Sequence, residues 1–398
     1  MLFTDKGTGV IVTSLGIGIA LILLFLSLVA IGLELQYRRQ PGNDLILTSG
    51  EWQLDLDNPQ HYILVGEMEL SNQTSRLEIM VPEVNAEVEL LSGSSLDGIE
   101  WKTQIISAHA DAPTRADQYW FAYIVKSRKT TKLKIRVEIQ GQDLTELKSA
   151  WVKVHYITYG PGGRIAKTTH AVMALQYPDA NLTPNSRKTE VSTVFPIRTH
   201  LLTHLDDPVD VIQRYVKPHA QPGDIVTLGE TPLALMQQRF RHPSDIHPGW
   251  VAKRICYFFL PTSSLATACG LQALVDVVGP SRVFFAFIGG AIAKLFKQGG
   301  VFYQLAGEQA RLIDDVTGTL PPYDQFIVLG PDQPQQVVER IRQETGLGAA
   351  IVDVNDLKAV KILAATSDVS QTILEQSLRS NPAGNADEQT PVVLIRPA

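Results

Sequence analysis

The fold of this chain turns on the reading of residues 314–356, D-D-V-T-G-T-L-P-P-Y-D-Q-F-I-V-L-G-P-D followed by Q-P-Q-Q-V-V-E-R-I-R-Q-E-T-G-L-G-A-A-I-V-D-V-N-D. A turn carrying Asp314 and Asp315 leads into an apolar strand predicted over Gln325–Leu329. An amphipathic helix is predicted over Gln333–Thr345. A second apolar strand, Ala349–Val352, delivers Asp353, Asn355 and Asp356 at its carboxyl end. The pattern predicts a strand-helix-strand unit with acids where the strands stop, the usual place for ligand chemistry in α/β proteins. Two acid clusters could converge on a divalent cation, because hard cations take carboxylate and amide oxygens. Acids at strand ends also form turns and cap helices, so both readings stay open from spacing alone.

Outward from this stretch, 398 residues leave room for two or three domains. A net charge of −6 gives no bulk electrostatic attraction for nucleic acid, and no nucleic-acid partner is expected. The two cysteines, Cys256 and Cys269, sit in apolar surroundings without metal-site spacing and read as free thiols. At the other end, Gly7–Leu33 carries no charge, and Ile11–Ile31 is dominated by aliphatic residues. That run exceeds the ~20 residues a helix needs to cross a bilayer and is longer than the apolar centre of a cleavable signal. Residues 1–39 therefore read as a transmembrane anchor with short flanks. Arg38 and Arg39 after it predict a single-pass membrane protein with the bulk of the chain on the cytoplasmic side.

Residues 40–177 read as an all-β sandwich of about 130 residues. Short alternating strands are expected at Tyr62–Leu70, Leu77–Val81, Ala86–Leu90, Trp101–Ser107, Tyr119–Val125, Lys132–Ile139, Trp151–Tyr159 and Thr169–Tyr177. In the clearest of them Leu133, Ile135, Val137 and Ile139 alternate with Lys134, Arg136 and Glu138. No catalytic constellation stands out here. His109, His155 and His170 read as structural, and Trp101, Trp120, Tyr123 and Trp151 as core. The sandwich reads as a spacer or a docking module for a protein partner. Residues 178–193 are polar and rich in turn formers, as in an interdomain linker.

Residues 194–398 read as an α/β (α+β) domain. A strand is expected at Val194–Arg198 and a helix at Asp207–Tyr215, with Val209, Ile212 and Tyr215 on one face. In Q-P-G-D-I-V-T-L-G-E-T-P, residues 221–232, a turn shaped by Asp224 opens a strand, Ile225–Leu228, ending at Gly229-Glu230-Thr231. Glu230 or Thr231 could reach a metal or a nucleotide, while Thr231-Pro232 is equally a good helix start. The apolar region Cys256–Phe296 is interrupted by Pro261, Asp276 and Pro280 and is expected to form buried helix and strand segments, with interfacial contact as the open alternative for its uncharged piece Val283–Ala293. Gly289-Gly290 near Lys294 is not a P-loop, since no G-x-x-x-x-G-K-[ST] occurs. A helix over Ser367–Arg379 and a last strand over Val392–Ile395 complete the domain.

Four segments in order give residues 194–397 a resemblance to the coenzyme F-420-0:L-glutamate ligase (gamma-glutamyl ligase) family. They are G-D-I-V-T-L-G-E-T-P-L-A-L-M-Q-Q-R from Gly223, G-G-V-F-Y-Q-L-A-G from Gly299, the acidic turn at Asp314-Asp315, and L-G-P-D-Q-P, I-R-Q-E-T-G and I-V-D ending on Asp353. The resemblance implies a membrane-anchored, divergent ligase that joins L-glutamate, or a similar amine, to a carboxylate of a coenzyme precursor, with GTP as co-substrate and Mg or Mn as the divalent metal. It implies metal ligation by Asp314, Asp315, Asp353 and Asp356, and contact with nucleotide phosphates by Glu230, Thr231 and Asn355. No residue is assigned as catalytic. A homodimer fits the family. The chain departs from the family where T-x-G-R-x-x-R gives way to V-N-D-L-K-A-V-K after Asp353, and where A-G-I-D-x-S-N gives way to A-R-L-I-D-D-V-T-G. Lysine lacks the bidentate phosphate grip of arginine. The alternative expectation is a catalytically silent ligase-fold scaffold or assembly factor at the membrane.

Overall fold

A computed structural model describes residues 6–38, 43–117, 119–315, 320–354, 359–384 and 388–398, with the backbone alone at residues 6–16, 37, 38 and 315. Helix α1 (Lys6–Arg38) is continuous. Its stretch Ile17–Gln36 is long and apolar enough to cross a membrane, and none of it is buried against the rest of the chain. Arg39, half of the basic pair, lies outside the described residues.

Among the described residues nine strands follow: β1 (Leu45–Leu47), β2 (Glu51–Asn58), β3 (His61–Asn72), β4 (Ile79–Ser92), β5 (Glu100–Ala108), β6 (Tyr123–Val125), β7 (Thr130–Gln140), β8 (Leu147–Gly160) and β9 (Gly163–Ala174). They form two antiparallel sheets, one in the order β1-β3-β7-β5 with β2 also on β3, the other β6-β4-β8-β9. Strand β7 shows why they pack: Leu133, Ile135, Val137 and Ile139 are fully buried in one cluster with Val81 and Leu90 of β4 and Val152 and Val154 of β8. Each such side chain contributes roughly 1.5–3 kcal/mol of burial. Its outward residues pair instead, Lys132 with Glu67 at 2.6 Å and Arg136 with Glu138 at 2.6 Å, exposed contacts worth under about 1 kcal/mol each.

Two expectations change here. The break expected between Val81 and Ala86 is absent, because β4 runs through Pro82 and absorbs it where the pairing with β8 shifts between Met80 and Glu83. Trp101 is not core: it is 40% exposed on β5.

The second half contains β10 (Arg187–Lys188), β11 (Ser192–Ile197), α2 (Pro208–Tyr215), β12 (Ile225–Gly229), α3 (Glu230–Met236), β13 (Phe240–Arg241), α4 (Trp250–Ile255), α5 (Ala268–Val278), α6 (Pro280–Leu295), α7 (Val301–Ala306), β14 (Asp314–Asp315), β15 (Ile327–Val328), α8 (Pro334–Thr345), β16 (Gly348–Val354), β17 (Val360–Ala365), α9 (Gln371–Leu378) and β18 (Val392–Pro397). A six-stranded sheet runs β10-β11-β18-β12-β16-β17, and a three-stranded one β13-β15-β14. The region is mixed α/β, with β12 and β16 parallel and the other pairs of the large sheet antiparallel. Asp207 caps α2 by accepting from the Val209 amide at 2.8 Å. Asp224, 2% exposed, accepts from the Gln221 amide at 2.8 Å and takes a bidentate grip from Arg396 at 2.9 and 2.7 Å. It shapes the turn before β12, as its position suggested.

The strand-helix-strand unit divides between two sheets. β15 belongs to the small sheet and β16 to the large one, and β15 spans only two residues. The turn of 3-10 helix over Tyr323–Gln325 takes the first part of the expected strand. The apolar region 256–296 divides between its two expected readings. Helix α5 is buried, but α6 leaves Phe285, Ile288, Ile292 and Leu295 exposed.

An apolar cluster joins the two halves: Trp151 of β8 and Val172 and Ala174 of β9 pack with Leu235, Phe240 and Phe326. Trp151 is thus buried, though at a junction rather than inside the sandwich.

Candidate functional site

Because β12 and β16 run parallel with Gly229 opposite Val352, the next residue of each, Glu230 and Asp353, emerges at the same carboxyl edge of the sheet. Antiparallel pairing of Asp314 with Val328 brings the third acid in from the small sheet. All three line one cavity of about 650 Å³, a size usual for small-molecule sites. Its walls include Thr231, Arg311, Tyr323, Val354 and the segment Asn381–Gly384.

The electrostatics of this cavity are unbalanced. Burial, then the neighbouring Asp353 and Asp314 carboxylates, push Glu230 up to about 8, against a smaller opposite pull from Lys361. Burial and Asp353 push Asp314 up to about 6, and the Thr231 hydroxyl donates to it at 3.5 Å, a long contact. Glu230 Oε2 is buried with no hydrogen-bond partner. A buried carboxylate without a donor is costly unless it is neutralised or meets a cation. Two basic groups stand close by, Lys361, whose Nζ lies 4.0 Å from Glu308, and Arg311 on the cavity wall.

Of the candidate ligands, Glu230, Thr231, Asp314 and Asp353 meet in this cavity. The backbone of Asp315 pairs with Ile327. Asn355, Asp356 and Lys358 lie outside the described residues. Arg311 and Tyr323 were not singled out as candidates. Arg311 stands three residues before Asp314 inside A-R-L-I-D-D, a signal the sequence offered. The fully buried Tyr323, whose hydroxyl has no partner, lies in a P-P-Y turn that looks like any other loop.

An oxygen-only donor set fits Mg or Mn better than a softer metal. The fit is loose: among the described residues the one trio with donor atoms all within 4.8 Å of one another is His170, His242 and Asp245. Looseness suits Mg, which typically keeps one or two carboxylates and completes its octahedron with water and phosphate oxygens.

The His170 trio reads differently. Trp151 Nε1 donates to His170 Nδ1 at 3.2 Å, so the neutral ring carries its proton on Nε2 and donates to Asp245 Oδ2 at 3.0 Å. A metal-ligating histidine needs its second nitrogen to face an acceptor, and here it faces an N–H donor. The trio is a polar clasp across the junction. His170 is structural, as expected, but its role is to hold two domains together.

Residues 46–177 match the family model described as F420-0:gamma-glutamyl ligase, N-terminal Ig-like domain. No curated protein matches the chain. Solved structures with some likeness include the GAE domain of yeast GGA1 (14% identity, 34% of this chain and 96% of that one, TM-score 0.20). Another is the GAE domain of GGA2p from Saccharomyces cerevisiae (8%, 34% and 93%, TM-score 0.21). A third is a FixG-related protein from Vibrio parahaemolyticus (12%, 33% and 95%, TM-score 0.17). Scores this low carry no argument. The chain therefore has an N-terminal helix apolar enough to span a membrane, an Ig-like domain of the kind found in gamma-glutamyl ligases, and a mixed α/β region beyond it.

Proposed function

We propose that this protein is a membrane-anchored gamma-glutamyl ligase-like enzyme, forming an amide between L-glutamate or a similar amine and a carboxylate of a coenzyme precursor at the expense of GTP. The observation that carries this reading is the convergence of Glu230, Asp314 and Asp353 in one cavity, with one oxygen of Glu230 buried and unpartnered. The Ig-like domain at residues 46–177 supports the substrate class. In the reaction the γ-phosphoryl group passes to the acceptor carboxylate, giving an acyl phosphate and GDP. The amine then attacks that carbonyl, its proton leaves to solvent, and inorganic phosphate departs. When bound, Mg or Mn would neutralise phosphate oxygens as they crowd together. One or two of the carboxylates of Glu230, Asp314 and Asp353 would hold the ion, and Thr231 would orient Asp314. Arg311 and Lys361 would supply positive charge toward phosphates in place of the family's missing arginines. The helix α1 would anchor the chain as a single pass with its bulk on the cytoplasmic side.

The replacement of T-x-G-R-x-x-R by V-N-D-L-K-A-V-K favours a second reading, a catalytically silent scaffold of the same fold. Calorimetry on the detergent-solubilised full chain separates the two. The first reading expects GTP to bind in the presence of Mn²⁺ and binding to fall at least tenfold in Asp353→Asn. An absence of both nucleotide and metal binding would leave only the scaffold.

A further inference from the structure

From Val283 to Ala293 helix α6 carries no polar side chain, yet only one side of it meets protein. Val283, Ala286 and Ala293 face inward, while Phe285, Ile288, Ile292 and Leu295 form a stripe at helical spacing with exposures of 66, 39, 52 and 82%. Such a helix is expected to be enclosed on all sides. The exposed surface continues beyond it: Phe296 is 74% exposed, and Phe258 packs on Phe287 of α6 while remaining 72% exposed. Tyr257 and Leu260 beside it are 85 and 74% exposed, and Trp250 of α4, near Phe284, is 65% exposed. Exposed apolar and aromatic residues clustered in this way mark an interaction surface.

Charge points to the occupant. Between residues 250 and 311 the chain carries Lys253, Arg254, Arg282, Lys294, Lys297 and Arg311 against only Asp276 and Glu308. Both acids are engaged, Asp276 by Arg241 and Glu308 beside Lys361. Lys253, Arg254, Lys294 and Lys297 are exposed and form no ion pair among the described residues. Exposed apolar and aromatic residues fringed by lysine and arginine are the composition of a surface that lies in a lipid headgroup region. Two-fold pairing of this face with a second copy would set its basic fringe against itself. A bilayer is also close at hand if α1 spans one, because only residues 39–44 separate α1 from β1. Even fully extended, those six residues reach about 20 Å.

We infer that the α4–α6 face is a second, interfacial membrane contact that seats the α/β region on an anionic bilayer. This inference rests on the anchored reading above. The bend of 113° between α5 and α6, made at Gly279 with φ +89°, lets α5 stay in the core while α6 turns its stripe outward. The seated face belongs to the α/β region that carries the acidic cavity, so the chain would be held to the bilayer at both its sandwich and its ligase-like ends.

The test is photo-crosslinking of the full chain in nanodiscs of phosphatidylcholine and phosphatidylglycerol. Benzoylphenylalanine replaces Leu24, Phe258 or Leu295, one at a time, and adducts are read by mass spectrometry. Lipid adducts are expected at all three positions. The double variant Lys294→Glu/Lys297→Glu should cut the yield at 258 and 295 several-fold while leaving that at 24 unchanged. Adducts at 24 with none at 258 and 295 overturn the interfacial contact and leave the anchor standing. Adducts at 258 and 295 with none at 24 remove the anchor and keep the contact. Chain-to-chain adducts at 258 and 295 without lipid would overturn the inference in favour of a second copy.

Discussion

At the residue scale, the acidic cavity makes the same demand on Glu230 and Asp314. Both carboxyls are pushed upward by burial and by the Asp353 carboxylate, to about 8 and about 6. Since each group's folded value lies above its unfolded one, the folded state binds more protons between the two values. Stability is then greatest below pH ~4 for these groups and is lost as pH rises through about 6 and then 8, at about 1.4 kcal/mol per pH unit per group inside its window. Thermal unfolding of the metal-free chain should therefore show a falling midpoint between pH 5 and pH 8, and Mn²⁺ should reverse the fall at the alkaline end. A flat profile would mean the carboxylates are not buried together. The substitution Glu230→Gln removes the charge but keeps the shape. It should raise metal-free stability at pH 8 by about 1–3 kcal/mol while abolishing the Mn²⁺ effect, because a site tuned for a ligand is destabilised without it.

At the scale of elements, two features of the sequence change meaning. Gly289-Gly290 looked superficially like a phosphate loop and is instead a packing device. A Cβ at Gly290 would stand 3.0 Å from the Phe302 Cβ and 3.2 Å from its Cα, so α6 and α7 approach closely only because that position is bare. Gly290→Ala should destabilise the chain by about 1–3 kcal/mol in a denaturant titration, through overpacking against backbone that cannot yield. Gly289→Ala meets only the end of the Leu305 side chain and should cost less. The motif G-G-V-F-Y-Q-L-A-G likewise forms the start and finish of α7, ending at Gly307 with φ +102°.

At the scale of the molecule, the junction between sandwich and α/β region is the feature that neither half announces alone. Trp151, packed on Phe326 with ring centroids 5.3 Å apart, donates to His170, which donates to Asp245 across the boundary. Trp151→Ala removes a buried side chain and the donor that fixes the His170 tautomer. It should cost about 3–5 kcal/mol. The loss should appear as two separate unfolding transitions in calorimetry where the intact chain shows one. Retention of a single transition would mean the halves do not depend on this clasp.

The sequence alone determined much of this protein, and the reasons are local. A long uncharged run defines α1, period-two alternation defines strands such as β7, and Asp207, Asp224 and Pro208 shape their turns and caps through their own side chains and rings. Glu230, Asp314 and Asp353 were each legible as candidates because acids at strand ends are visible in one dimension. What only the tertiary structure decided is which of them meet. Their convergence depends on the parallel pairing of β12 with β16 and on the placing of β14 in a separate sheet, contacts between residues far apart in the chain. The same reason explains why 256–296 stayed open between burial and interfacial contact. An apolar pattern reports that a surface avoids water, and only the packed fold shows that α6 has protein on one side of it and not on the other.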